Sequence, residues 1–245
     1  GWMYHGNLVA FVYSCLTFLG SQRTFLSIRQ TLYDHEYEKP ITQLVLWANK
    51  LISKHVRGTI YNSSVSLRQH HVFGFEIDTA IVIRNGVSLG DLDLEAQSSV
   101  YPPKEFCLSG SAFVISVVAR NHPMKRLAFA VELFVKIADD YDGSVFVFVG
   151  DGVDEANLMD LVPQKYRRKF HFFPAVSSMT KVYEMSDLIV LTSAWGEACP
   201  NVVLEGMSFG IPILASNIGD IPEILGEPSL VFNANDIVSA EGALR

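Results

Sequence analysis

Apolar and polar positions along this chain follow two rhythms. Short runs at 112–118, 145–149, 188–192 and 211–215 are apolar at nearly every position and are bounded by turn residues. Such runs read as strands buried on both faces of a parallel sheet. Between them, 124–138, 155–168, 180–185 and 201–209 place apolar residues at helical spacing and predict helices. Phe170, Phe172 and Phe173 mark one more strand, at 170–173, with the alternation of a core strand rather than of a stacking platform. Strand and helix taking turns imply an α/β fold with a doubly wound parallel sheet. Past residue 215 no final helix is evident before Arg245.

The earlier residues carry the same rhythm more loosely. Stretch 7–19 is apolar nearly all round and predicts a buried helix, since it is shorter than the roughly 20 residues needed to span a bilayer. Strands are expected at 23–28, 58–61 and 80–83, with helices at 40–55, opened by Pro40, and at 63–72. Residues 1–5 read as the end of a strand, and the chain as a fragment. The turn Arg84-Asn85-Gly86 closes the last of these strands. Stretch 91–103 is polar, loses all periodicity and contains Pro102 and Pro103, so the linker is placed there. Two domains follow: a partial first one over 1–107, linker included, and a complete-looking second one over 108–245.

Composition narrows the function. The net charge of −7 gives no basic face for phosphate-rich partners, which argues against nucleic acid. Three widely spaced cysteines form neither a disulfide framework nor a zinc knuckle, and the cytoplasm is the expected home.

The candidate chemistry gathers in loops that follow strands, where doubly wound sheets bind ligands. In 193–207, Glu197 and Glu205 stand with seven residues between them, and Pro200 lies where a helix should begin. Proline suits a first helical turn, and the free amides after it, from Asn201, form an anion site. Acids on either side of such amides suit the hydroxyls flanking a phosphate, as in a nucleotide sugar. In 119–125, Arg120 and Lys125 lie five residues apart in a strand-to-helix loop, a pair that suits a diphosphate.

These segments, with Val147-Phe148-Val149-Gly150-Asp151-Gly152, Gly210-Ile211-Pro212-Ile213-Leu214-Ala215 and Gly219-Asp220-Ile221-Pro222-Glu223, occur in an order that resembles the C-terminal domain of the retaining GT-B glycosyltransferases of family 4. The likeness covers roughly residues 108–235; Trp2-Met3-Tyr4-His5, Tyr61-Asn62-Ser63 and Ile83-Arg84-Asn85-Gly86 extend it more loosely into the first domain. The resemblance implies Rossmann-like domains and a hexosyltransferase taking its sugar from a UDP- or GDP-sugar. It assigns Arg120 and Lys125 to the leaving diphosphate, Glu205 to the ribose and Glu197 to the donor sugar. Asn201 and Val202 would offer amides to the phosphate, and Ala175 and Val176 would meet the base. Gly150 would turn tightly at the crevice rim, and His5 would face the sugar. The implied acceptor is a cell-surface glycan or lipid-linked saccharide, with peripheral contact at the inner membrane face.

Departures accompany the likeness. Val87 is followed by Ser88 where the family has aspartate, and the family's opening strand, glycine-rich loop and final crossing helix have no counterpart. A non-catalytic nucleotide-sugar-binding fragment and a nucleotide-sugar epimerase of the same fold are the alternatives. No metal and no cofactor is expected: Asp91-Leu92-Asp93 has metal-binding spacing but lies in the polar linker rather than after a buried strand.

Overall fold

In the computed structural model, residues 1–17, 20, 23–32, 40–88, 112–153, 155–176 and 179–245 are described. By contact they fall into two units, Gly1–Asn85 with Trp195–Pro200 and Ile218–Asp220, and Gly86–Ala194 with Asn201–Asn217 and Ile221–Arg245. The expected linker, the 107/108 boundary and Asp91-Leu92-Asp93 lie outside the described residues.

In the first unit, strands β1 (Phe25–Ile28), β2 (Gly58–Tyr61) and β3 (Ala80–Val82) form a parallel sheet in the order β1-β2-β3. Helices α1 (Met3–Leu16), α2 (Pro40–Ser53) and α3 (Ser64–Phe73) accompany it. Tyr4, Ile28, Leu46, Tyr61 and Phe75 make its apolar core. Two expectations fail here. Residues 3–5 begin a helix, not a strand end, and α1 is not buried: Val9, Val12, Tyr13 and Leu16 are exposed while Asn7 is fully buried. The reason is local. The Asn7 side chain donates to the Ser27 carbonyl at 3.2 Å and accepts from the Ser27 amide at 3.1 Å, so a polar residue satisfies the strand backbone as a neighbouring strand would.

In the second unit, β4 (Phe113–Val118), β5 (Ser144–Val149), β6 (Phe170–Phe173), β7 (Leu188–Leu191), β8 (Ile213–Ser216) and β9 (Val231–Phe232) form one parallel sheet. Its order is β6-β5-β4-β7-β8-β9. Helices α4 (Leu127–Ile137), α5 (Glu155–Met159), α6 (Thr180–Glu184), α7 (Asn201–Ser208), α8 (Ile221–Leu225) and α9 (Ile237–Leu244) alternate with the strands. Phe134 stacks on Phe146 and Phe146 meets Phe170 at a tilt, with ring centroids 4.7 and 4.8 Å apart. Aromatic pairs at such spacing add to the gain from burial alone.

Three helix expectations change in this unit. The stretch from 124 begins as a 3-10 turn, Pro123–Lys125, and α4 starts only after Arg126, which sits at φ 51°. The helix expected at 155–168 is two pieces, α5 and a 3-10 turn at Gln164–Lys169, because Pro163 cannot continue a helix. A final helix does exist: α9 is capped by the Asp236 carboxylate, which accepts from the amides of Val238 and Ser239 at 3.0 Å.

Candidate functional site

All strands of the second sheet are parallel, so the loops after β4, β5, β6, β7 and β8 leave its carboxyl edge. The chain reverses its direction of winding between β4 and β7, the position where open α/β sheets bind ligands. The loops flanking that point are joined. The Thr192 hydroxyl donates to the Lys125 carbonyl at 2.8 Å, and the Ala194 amide donates to the Met124 carbonyl at 2.8 Å. The cationic loop after β4 is therefore fastened to the chain as it leaves β7 on its way to α7.

The β4 loop is shaped by its own residues. The His122 ring accepts from the Met124 amide at 3.2 Å, and the Asn121 amide donates to the Asp151 carbonyl at 2.7 Å. Arg120 is exposed and Lys125 half-buried. Gly150 ends β5 beside this loop, and a Cβ there would lie 2.0 Å from the Ala119 carbonyl oxygen. Only a residue without a side chain allows that approach. Val176, on the segment after β6, is half-buried.

Helix α7 opens at Asn201, directly after Pro200, and its first-turn amides have no acceptor within the helix. Gly206 seats it on the sheet: a Cβ there would stand 2.6 Å from the side-chain tips of both Ile189 and Ile213. Glu205 lies half-buried on the same helix. Its carboxylate Oε2 accepts from the hydroxyl of Tyr183, on α6, at 2.5 Å. Burial, then the bond to Glu205, pushes the Tyr183 phenol far up, so it stays protonated and donates. Sequence reasoning passed over Tyr183, whose partner is 22 residues away.

Of the expected site residues, Arg120, Lys125, Gly150, Val176, Asn201, Val202 and Glu205 belong to the second unit, and His5 and Glu197 to the first. His5 is exposed on α1, and Glu197 is buried within 195–200. That segment is held by its carbonyls: Ala198 accepts from the Asp220 amide at 3.0 Å and Cys199 from the Asn85 side chain at 2.8 Å. Among the described residues, no group of three or more histidines, cysteines or carboxylates could hold a metal ion, and no helix is long and apolar enough to cross a membrane.

Over residues 112–244, more than half of the chain, the sequence matches the family described as glycosyl transferases group 1. The chain belongs to that family. Among curated members it is 30% identical over 145 residues to the UDP-Gal:alpha-D-GlcNAc-diphosphoundecaprenol alpha-1,3-galactosyltransferase of Escherichia coli, a match covering 56% of this chain and 36% of the relative. It is 28% identical over 123 residues to the N-acetyl-alpha-D-glucosaminyl L-malate synthase of Bacillus anthracis, covering 50% of this chain and 32% of the relative. The group 1 chain thus spans about a third of the length of these relatives. In fold it is similar to Anabaena HepE, crystallised in complex with UDP, with a TM-score of 0.75 at 18% identity over 99% of this chain and 66% of that one. At that identity the likeness is one of fold, and the fold is the α/β GT-B type with Rossmann-like sheets.

Proposed function

We propose that this chain belongs to a retaining glycosyltransferase, active without a metal, that moves a hexose-type sugar from a UDP- or GDP-sugar to an acceptor hydroxyl. The observation that carries the reading is the pair of hydrogen bonds from Thr192 and Ala194 to the loop of Lys125. They tie the diphosphate-binding cations to the strand exit that leads to the amides of Asn201 and Val202. Arg120 and Lys125 neutralise the diphosphate as the bond from sugar C1 to the phosphate oxygen breaks. The acceptor oxygen then bonds to C1 from the face the diphosphate leaves, and its proton passes to that departing oxygen. Glu205 takes the ribose hydroxyls, Val176 lies beside the base, and Glu197 and His5 serve the sugar, each as the family resemblance assigns them.

The acceptor class is a cell-surface glycan or lipid-linked saccharide. The E. coli relative supports this, since its name carries a diphosphoundecaprenol acceptor.

Isothermal titration with UDP and with GDP tests the proposal. One of them is expected to bind, and Arg120→Ala with Lys125→Ala should weaken it at least about tenfold, the equivalent of ~1.4 kcal/mol. Absence of binding to both nucleotides would overturn the reading.

A further inference from the structure

A carboxylate that reads a pair of ribose hydroxyls has to hold one rotamer, because two hydroxyls on a rigid ring accept only one orientation of the group facing them. An exposed glutamate spends much of its time in others, and fixing its side chain on binding costs affinity. Glu205 has a device against this cost. Its Oε2 is engaged by Tyr183, which is 1% exposed. The phenol cannot follow a rotating carboxylate: its ring packs against Phe209 at 5.3 Å between centroids, and its amide is tied to the Met179 carbonyl at 3.0 Å. A carboxylate has about four lone-pair positions, so the bond from Tyr183 leaves capacity on both oxygens.

We propose that Tyr183 is a positioning residue that pre-orients Glu205 and thereby sets the preference of the site for a ribose bearing its 2′ and 3′ hydroxyls. The inference rests on the assignment of Glu205 to ribose made above. Tyr183 itself touches no substrate; it acts through the carboxylate. Its phenol ring packs against Phe209, just past α7, and only its oxygen reaches Glu205, so ring and hydroxyl are separable by substitution.

The experiment compares the nucleoside diphosphate that the chain binds, UDP or GDP, with its 2′,3′-dideoxy counterpart. Both are titrated calorimetrically into the wild type, Tyr183→Phe, Glu205→Ala and the double variant. The wild type should favour the ribose form, and Tyr183→Phe should weaken that form about tenfold while moving the dideoxy form less than about twofold. In the Glu205→Ala background, Tyr183→Phe should add nothing to the lost discrimination. Equal weakening of both nucleotides, or no weakening, with Glu205→Ala still abolishing the preference, would overturn the role of Tyr183 and leave that of Glu205 intact. If Glu205→Ala leaves the preference unchanged, the ribose assignment itself fails, and the role of Tyr183 with it. A wild-type measurement covers a poorly folding variant: the ring-carbon resonance of Tyr183 next to the hydroxyl should move on adding the ribose form and stay still with the dideoxy form. The same movement with both would overturn the proposal.

Discussion

The Asp220 carboxylate begins the helix that Ser63 caps. It accepts from the Ser63 hydroxyl at 2.7 Å across 157 residues of chain, and from the amides of Val65 at 2.9 Å and Ser64 at 2.8 Å. The same Ser63 oxygen accepts from the Ser66 amide at 3.0 Å, so the two side chains together satisfy the first turn of α3. Arg84 adds an ion pair at 3.3 Å, on a side chain that is 40% exposed while that of Asp220 is fully enclosed. One main-chain atom away, the Asp220 amide holds the Ala198 carbonyl, so the residue that caps α3 also secures the segment of Glu197.

Asp220→Asn should cost about 2 kcal/mol of unfolding free energy at neutral pH, because an uncharged amide cannot accept as the carboxylate does. Little of that belongs to Arg84, whose exposure screens the pair. Burial pushes the Asp220 carboxyl up, but the Ser63 hydroxyl, the Val65 and Ser64 amides and Arg84 outweigh it and hold the group below its ordinary 3.8. A carboxyl lowered by folding stabilises above its unfolded value and loses that contribution as pH falls through its folded one. The gap between wild type and Asp220→Asn, measured by urea unfolding, should therefore be constant above about pH 5 and narrow below 3.8.

His70 sets a second acid sensitivity, at higher pH. Its Nδ1 lies 2.7 Å from the Ser66 carbonyl and must donate to it, so Nε2 accepts from the Tyr4 hydroxyl, also at 2.7 Å. Burial, only partly offset by the Ser66 carbonyl, lowers the histidine from 6.5 to about 4. Below 6.5 the unfolded chain binds a proton that the folded one refuses. Stability should fall as pH drops from about 6.5 to about 4 and then level off, with a total loss on the order of 3 kcal/mol. His70→Gln should flatten the urea-midpoint profile across that window, and an unchanged slope would remove His70 as its source.

What the sequence could and could not disclose follows from the range of the interactions. Strands β2 and β6 and the start of α7 were legible, because apolar runs bounded by turns and a proline before a helix are local signals. Arg120, Lys125, Glu197 and Glu205 stand out in the sequence because their spacing is local, and the roles given to them are those of the proposal above. The polar interior of α1 was not, since Asn7 is buried for the sake of one residue of β1, which no periodicity encodes. Helix α9 escaped notice because Ser239, Ala240 and Gly242 blur its apolar stripe, although Asp236 is a good cap. Tyr183 and Asp220 act on partners distant in sequence, and pattern reading has no access to such pairs.

Gly150→Ala tests how closely the sheet edge and the cationic loop are coupled. The added Cβ would meet the Ala119 carbonyl oxygen at 2.0 Å and its carbon at 2.5 Å, and neither can rotate away as a side chain could. Strand ends β4 and β5 must then part, which costs about 2–3 kcal/mol. Because Arg120 follows Ala119 directly, nucleotide affinity should fall along with the melting temperature. Wild-type affinity in a destabilised variant would show that the position of Arg120 tolerates the shift.

The two glutamates should separate in their effects. Glu205 stands on α7 with its carboxylate accepting from the Tyr183 hydroxyl, whereas Glu197 is buried in a segment whose Ala198 and Cys199 carbonyls are held by Asp220 and Asn85. If the first serves ribose and the second the sugar, Glu205→Ala should weaken UDP or GDP about tenfold, and Glu197→Ala should leave the bare nucleotide within about twofold. With the intact nucleotide sugar both variants should lose affinity, and only for Glu197→Ala should the loss vanish when the sugar is removed. Calorimetry on the wild type and both variants, each with the bare nucleotide and with the nucleotide sugar, makes the comparison. Equal losses of bare nucleotide, or a larger one for Glu197→Ala, would mean that the roles are shared or exchanged. Chelator in the cell should change none of these affinities, and a loss on chelation would direct attention back to Asp91 and Asp93.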